Sequence, residues 1–200
     1  MKEKLRKGLK PLITCAFLTG GLFIMNSAQA QKVYRLASNQ MVIDGTSNIH
    51  DWTMKSASAT GSASLVSNAA NAVVELTNVS FSVPVETLKS DKSGLDKNAY
   101  KALKSDKFKS ISFTGAKATL KPTGTNTYTI TSAGKLTISG VTKDVVLIAG
   151  AAMNGDNSLH IVGAYKLKMT DFSVEPPSLM MGAIKTANEI TFKYDIVFKP

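Results

Sequence analysis

Apolar and polar residues alternate with a period of two through most of the chain beyond residue 33. The C-terminal end shows it most plainly: Ile190, Phe192, Tyr194, Ile196 and Phe198 are spaced by Thr191, Lys193, Asp195, Val197 and Lys199. Successive side chains of an extended strand point to opposite faces, so this spacing predicts a strand with one apolar and one mostly wet face. Runs rich in Val, Ile, Thr, Ser and Phe at 73–83, 110–120, 128–139, 145–153 and 159–170 predict further strands. Turn-forming residues separate them at Ser67-Asn68, Pro122-Thr123-Gly124 and Asn154-Gly155, the last being the strongest hairpin signal. Strands joined in order by short turns predict an antiparallel meander. About eight of them, each with one apolar face, either close into a barrel or pack as a sandwich. Closure into a barrel leaves no unpaired edge.

One segment departs from this period. Leu95, Ala99 and Leu103 recur at helical spacing, and Ser93-Gly94-Leu95-Asp96 reads as a capping box with Ser93 as the N-cap. A short helix is expected over 94–104.

The N-terminus follows a different rule again. Lys2, Lys4, Arg6, Lys7 and Lys10 precede an apolar run over 11–25 and then Ala28-Gln29-Ala30, the organisation of a secretory signal peptide. Cleavage near Ala30 is expected, so residues 1–30 read as a leader and 31–200 as one β-barrel domain, periplasmic or secreted. The apolar run is shorter than the ~20 residues of a membrane-spanning helix. A chain of 200 residues, 44% hydrophobic and 19% charged, has ordinary globular composition, which excludes disorder, collagen and a disulfide-stapled miniprotein. Removing the leader removes Cys15, the single cysteine, and with it disulfide and thiolate chemistry. It also leaves 19 of the 24 basic and 13 of the 14 acidic residues, so the net charge falls from +10 to +6. That is too modest for a nucleic-acid footprint, and no nucleic-acid partner is expected.

Three blocks carry a resemblance. The first is Ser93-Gly94-Leu95-Asp96-Lys97-Asn98-Ala99-Tyr100-Lys101-Ala102-Leu103, followed by Phe108-Lys109-Ser110-Ile111-Ser112-Phe113. The second is Gly134-Lys135-Leu136-Thr137-Ile138-Ser139-Gly140-Val141-Thr142-Lys143-Asp144-Val145, and the third is Thr170-Asp171-Phe172-Ser173-Val174-Glu175-Pro176-Pro177 with the strand that begins near Glu189. In this order, over nearly the whole mature chain, they resemble the YceI-like family. The resemblance implies an all-β, lipocalin-like antiparallel β-barrel of about eight strands with one short helix. It further implies export to the periplasm and an interior that holds a long apolar molecule, a polyprenol or isoprenoid quinone, with no catalytic cofactor. Where the family's G-x-F carries an aromatic residue, this chain has Gly61-Ser62-Ala63.

Within a barrel of that kind, alternation selects the lining residues. Trp52 and Met54 share a face, as do Phe81 and Val83, Ile111 and Phe113, Tyr165, Leu167 and Met169, and Phe192, Tyr194 and Phe198. The stretch from Phe172 to Ile184 contains Pro176, Pro177, Leu179, Met180 and Met181, too apolar for an ordinary exposed loop. Methionine adapts to irregular apolar shapes, so Phe172, Leu179, Met180 and Met181 are expected either to plug the barrel or to form a lid over a bound chain. Lys89, Lys92, Lys97, Lys101, Lys104, Lys107 and Lys109 stand among only Asp91, Asp96 and Asp106. They read as a solvated helix face or, through Lys97, Lys101 and Lys104, as a peripheral contact with an anionic membrane surface.

Ser47, His50 and Asp51 supply the residue types of nucleophilic catalysis, but neighbours on a strand point apart, so no catalytic residues are expected. Two histidines, His50 and His160, without cysteine give no metal-ligand spacing, and no metal is expected. The function expected is an exported carrier of an apolar lipid-like small molecule. The competing readings are a small outer-membrane barrel, a periplasmic interaction or stress protein without a ligand, and an enzyme acting on a bound lipid. The oligomeric state stays open, a homodimer included.

Overall fold

Each alternating run becomes a strand, in places longer than its sequence pattern. The computed structural model describes residues 31–68 and 73–200, so the expected leader and Cys15 lie outside the described residues. In chain order the elements are β1 (Lys32–Ser47), β2 (Asp51–Ser56), β3 (Thr60–Ser67), β4 (Val73–Pro84), α1 (Ser93–Leu103), β5 (Ser110–Gly124), β6 (Thr127–Ile138), β7 (Val141–Met153), β8 (Leu159–Lys168), β9 (Ser178–Leu179) and β10 (Ile184–Lys199).

All neighbouring strands are antiparallel, and β10 returns to pair with β1 along most of its length, Arg35 opposite Lys199 and Gly45 opposite Ile190. β2 and β3 both pair with β1 in one continuous register, from Thr46 opposite Asp51 to Lys32 opposite Leu65. They form a single strand interrupted at 57–59. Asn39 spans the interruption: its Nδ2 donates to the Ala59 carbonyl at 3.2 Å and its Oδ1 accepts from the Ala59 N–H at 3.1 Å. Counted this way, eight strands close an antiparallel barrel, with β9 as an extra two-residue strand against β10. Register shifts in the β1–β10, β3–β4 and β5–β6 pairings bend the wall, as bulges do in closed sheets.

Several turns differ from expectation. β5 runs on to Gly124, beyond Pro122, and the chain reverses just after it, with Asn126 in the left-handed region. The β7–β8 loop spans 154–158 with its left-handed residue at Asn157, so Asn154-Gly155 is not a two-residue hairpin. The Asp156 carboxylate holds this wider loop by accepting from Ser158 Oγ at 2.6 Å and Ser158 N–H at 3.0 Å. Those bonds, the stronger from the hydroxyl, and nearby Lys199 lower its pKa to about 2. The tight hairpin is instead Ser139-Gly140, both with positive φ between paired Ile138 and Val141, as a type I′ turn requires.

Because strands alternate in direction, the start of β1, β4, β6 and β8 and the end of β3, β5, β7 and β10 share one end of the barrel. That end is packed solid with Tyr34, Leu65, Leu76, Leu120, Tyr128, Ile130, Leu159 and Phe198. The opposite end is covered by α1, whose Leu95, Ala99 and Leu103 face inward. Lys92 is the N-cap and makes no side-chain capping bond, so the expected capping box at Ser93 does not form. Asp96 is committed elsewhere: it accepts from the Ser90 N–H and Oγ, both at 2.7 Å, with Lys89 Nζ at 3.9 Å. Tyr100 ties the helix to the preceding segment through its hydroxyl, which donates to the Leu88 carbonyl at 2.7 Å.

Burial alone would raise the Asp96 pKa, but the Ser90 bonds and Lys89 hold it below the ordinary 3.8. A carboxylate depressed in the folded state stabilises above its unfolded pKa, and that contribution vanishes as pH falls through the folded value. Asp96→Asn is therefore expected to lower the melting temperature at neutral pH and to shrink the acid-induced loss expected of the parent chain below pH 3.8. Thermal melts across that range check it.

Candidate functional site

Toward the α1 end the barrel is hollow. An outer chamber of about 380 Å³ lies between α1, the β1–β2 turn, the start of β10 and the 169–177 segment. An inner chamber of about 110 Å³ lies deeper, among the inward faces of β4 to β8 and β10. Both are walled almost wholly by carbon. Ile111, Leu136 and Phe192 border both chambers and so form the partition between them. The outer chamber opens at a rim whose polar members are Ser47, His50, Lys92, Asn98 and Thr186.

The hollow depends on glycines that lie beside aromatic rings. Gly45 pairs with Trp52 and Gly163 with Tyr194, and a Cβ on either would run into the ring opposite. Gly134 sits against Phe113 in the same manner, its absent Cβ falling 2.5 Å from the ring's Cζ. Each ring thus lies against the wall rather than across the lumen. Ala63, where the family's motif has an aromatic, borders the inner chamber and leaves its space open. The Tyr194 phenol is pushed above its usual pKa of 10.0 by burial, so it stays neutral. Its ring is tilted against Phe192, with centroids 5.9 Å apart.

Trp52, Met54, Leu167, Met169, Phe172 and Phe192 line the outer chamber. Phe81, Phe113, Tyr165, Phe192, Tyr194 and Phe198 border the inner one. The Leu179 side chain lies outside the described residues. Met180 and Met181 correct the lid-or-plug expectation, since both are exposed, Met181 completely. Their left-handed backbone, with φ of 51° and 54°, makes them the tip of the β9–β10 turn and swings their side chains into solvent. Of that stretch, Phe172, Val174, Pro177 and Ile184 do border the cavity. The contribution of α1, through Leu95, Asn98, Ala99, Ala102 and Leu103, was absent from the sequence expectation. Alternation along strands carries no information on which wall a helix completes.

The lysines divide. Lys92 stands on the rim, whereas Lys97, Lys101 and Lys104 are exposed on the face of α1 away from the chambers. Ser47, His50 and Asp51 form no catalytic array: Ser47 Oγ donates to the His50 carbonyl at 2.7 Å, and His50 Nδ1 lies 2.9 Å from the Asp51 carbonyl oxygen. His160 is on the outer wall, its Nε2 2.7 Å from Asp195 Oδ1, so the two imidazoles do not converge.

A closed antiparallel barrel with an apolar interior and a helix across its open end is the architecture of lipocalin-like binding proteins. The YceI-like domain pattern matches residues 34–198, and the chain belongs to the YceI-like family. No curated protein matches it. Among solved structures, Burkholderia cenocepacia BcnA is similar with 18% identity and a TM-score of 0.59, over 80% of this chain and 95% of BcnA. A polyisoprenoid binding domain from Saccharophagus degradans, implicated in plant cell wall breakdown, has 9% identity and a TM-score of 0.62, over 83% of this chain and 97% of its own. The Campylobacter jejuni YceI protein has 18% identity and a TM-score of 0.51, over 69% and 80%. At these identities the likeness is one of fold.

Proposed function

We propose that this protein is an exported, non-catalytic carrier that takes an apolar isoprenoid-type chain, a polyprenol or isoprenoid quinone, into the barrel through the rim under α1. The observation that carries this reading is the pair of chambers walled almost wholly by carbon, with Ile111, Leu136 and Phe192 between them and the outer one opening at a polar rim. The outer chamber alone is within the ~300–1,000 Å³ of typical ligand sites. A long chain fills it first and reaches the inner chamber by turning the Phe192 ring. Each methylene transferred from water contributes about 0.8 kcal/mol, so length supplies affinity without specific polar contacts. The polar end of the cargo remains at the rim beside Lys92, Asn98 and His50. The polyisoprenoid binding domain among the structural neighbours supports the cargo class. The outer wall carries charged residues such as Lys117, Lys135, Lys193 and Lys199 alongside exposed Val146, Ile148 and Val162 on β7 and β8, whereas a membrane-spanning barrel presents an apolar outer band flanked by aromatic girdles.

Native mass spectrometry of the protein purified from a periplasm without detergent, followed by solvent extraction, tests the reading. A stoichiometric apolar adduct is expected. A clean apoprotein that also takes up neither added isoprenoid quinone nor polyprenol would overturn it.

A further inference from the structure

Two turns at the chamber rim are locked together and each presents bare apolar side chains. Asn48, in the turn between β1 and β2, donates from Nδ2 to the Ala183 carbonyl at 2.8 Å and accepts at Oδ1 from the Lys185 N–H at 2.8 Å. Its own N–H donates to the Lys185 carbonyl at 3.1 Å. The β1–β2 turn is pinned internally as well, by the Ser47 hydroxyl and the His50 backbone. The two tips therefore move as one body.

On one tip Ile49 is 56% exposed, and on the other Met180 and Met181 are 76% and 111% exposed. Large apolar side chains on two rigidly coupled tips are costly in water. Their position adds the second observation: Ile49 on one tip lines the outer chamber, and so does Ile184, three residues beyond Met181 on the other, so apolar side chains lead from the tips into the cavity. Lys92 brings a cation to the rim, and Lys185 lies beside the methionine tip, its Cε 3.8 Å from where a Cβ on Gly182 would stand; Asp51 and Glu175 are exposed acids close to the two tips in sequence. The Lys97, Lys101 and Lys104 stripe lies on the far face of α1, so it does not set the direction of the mouth.

We propose that the protein docks on an anionic phospholipid bilayer with its mouth toward the membrane, Ile49, Met180 and Met181 inserting among the headgroups so that an apolar chain passes between bilayer and barrel without crossing water. The purpose of the docking rests on the carrier reading, but the docking itself does not. Methionine suits this role because its flexible thioether adapts to an irregular boundary, and interfacial binding combines buried apolar area with attraction to anionic lipid.

The test uses vesicles of equimolar phosphatidylcholine and phosphatidylglycerol, with acyl chains brominated in a second set. Trp52 is the single tryptophan and stands in the outer chamber, so brominated chains are expected to quench it when the mouth faces the membrane. Met180→Ser/Met181→Ser is expected to lower the vesicle-bound fraction about tenfold by removing inserted apolar surface. Its melting temperature and its uptake of a short isoprenoid quinone from solution are expected to stay as in the parent. Parent protein that fails to sediment with the vesicles, binds without Trp52 quenching, or is unaffected by the double substitution would overturn docking. Intact quinone uptake in that case leaves the carrier reading standing. Loss of uptake with docking intact would overturn the carrier reading alone. Vesicle-independent capture of a protein through the same tips, abolished by the double substitution, would make the surface a protein interface and reject the membrane.

Discussion

Gly134→Val is expected to destabilise the barrel by about 3 kcal/mol, a fall of roughly 6–12 °C in melting temperature for a domain of this size. A Cβ at Gly134 would lie 2.5 Å from the Thr114 carbonyl oxygen and 2.5 Å from Phe113 Cζ. The ring could give way, but the carbonyl belongs to the neighbouring strand. Gly134 stands opposite the bulge where β5–β6 pairing skips from Thr114–Lys135 to Lys117–Ala133. Glycine in a strand commonly marks such a close backbone approach. Relief therefore requires the two strands to part at the point where the wall bends, and the displaced Phe113 ring would enter the inner chamber it borders. Thermal and urea unfolding check the size of the loss. A melting temperature within a degree or two of the parent would show that the wall relaxes without strand separation.

Ala99→Phe is expected to weaken binding of an isoprenoid quinone at least about tenfold, equivalent to about 1.4 kcal/mol, while changing stability by less than about 1 kcal/mol. Ala99 is half-buried on α1 and faces the outer chamber. A benzyl group there has an empty space to occupy rather than a packed core to invade, so it displaces cargo instead of protein atoms. The substitution also keeps Trp52 as the single tryptophan, in the same chamber, so quenching by the bound quinone reads affinity directly in parent and variant. Unchanged affinity would place the cargo outside this chamber and remove the main support for the carrier reading. Loss of affinity accompanied by a large drop in melting temperature would instead show that α1 had been dislodged, which Tyr100 and Asp96 are placed to prevent.

The inward residues of β10 and the strand positions were legible along the chain because strand alternation is a local property: Phe192, Tyr194 and Phe198 face the lumen as their spacing predicts. The helix was legible for the same reason. Its capping was not, since Asp96 could reach either Ser93 or Ser90 and only the folded segment places Ser90 within 2.7 Å. The Ser139-Gly140 dipeptide is a turn signal, but β7 starts directly after it at Val141, ahead of the apolar run that begins at Val145. Met180 and Met181 failed for a deeper reason. Apolar character predicts burial on average, but a left-handed turn fixed by partners elsewhere in the chain can point it outward.

By itself the sequence determined a β-rich architecture, a family resemblance and a set of inward-facing side chains, all from local periodicity and motif order. The tertiary structure decided how that interior is divided. Which glycine lies beside which ring, that Phe192 joins Ile111 and Leu136 as a partition, and that α1 completes the outer wall all depend on strand register and barrel closure. These are long-range properties: a one-residue slip in pairing would turn every lining residue to the opposite face, and no pattern within a single strand records which neighbour it will meet.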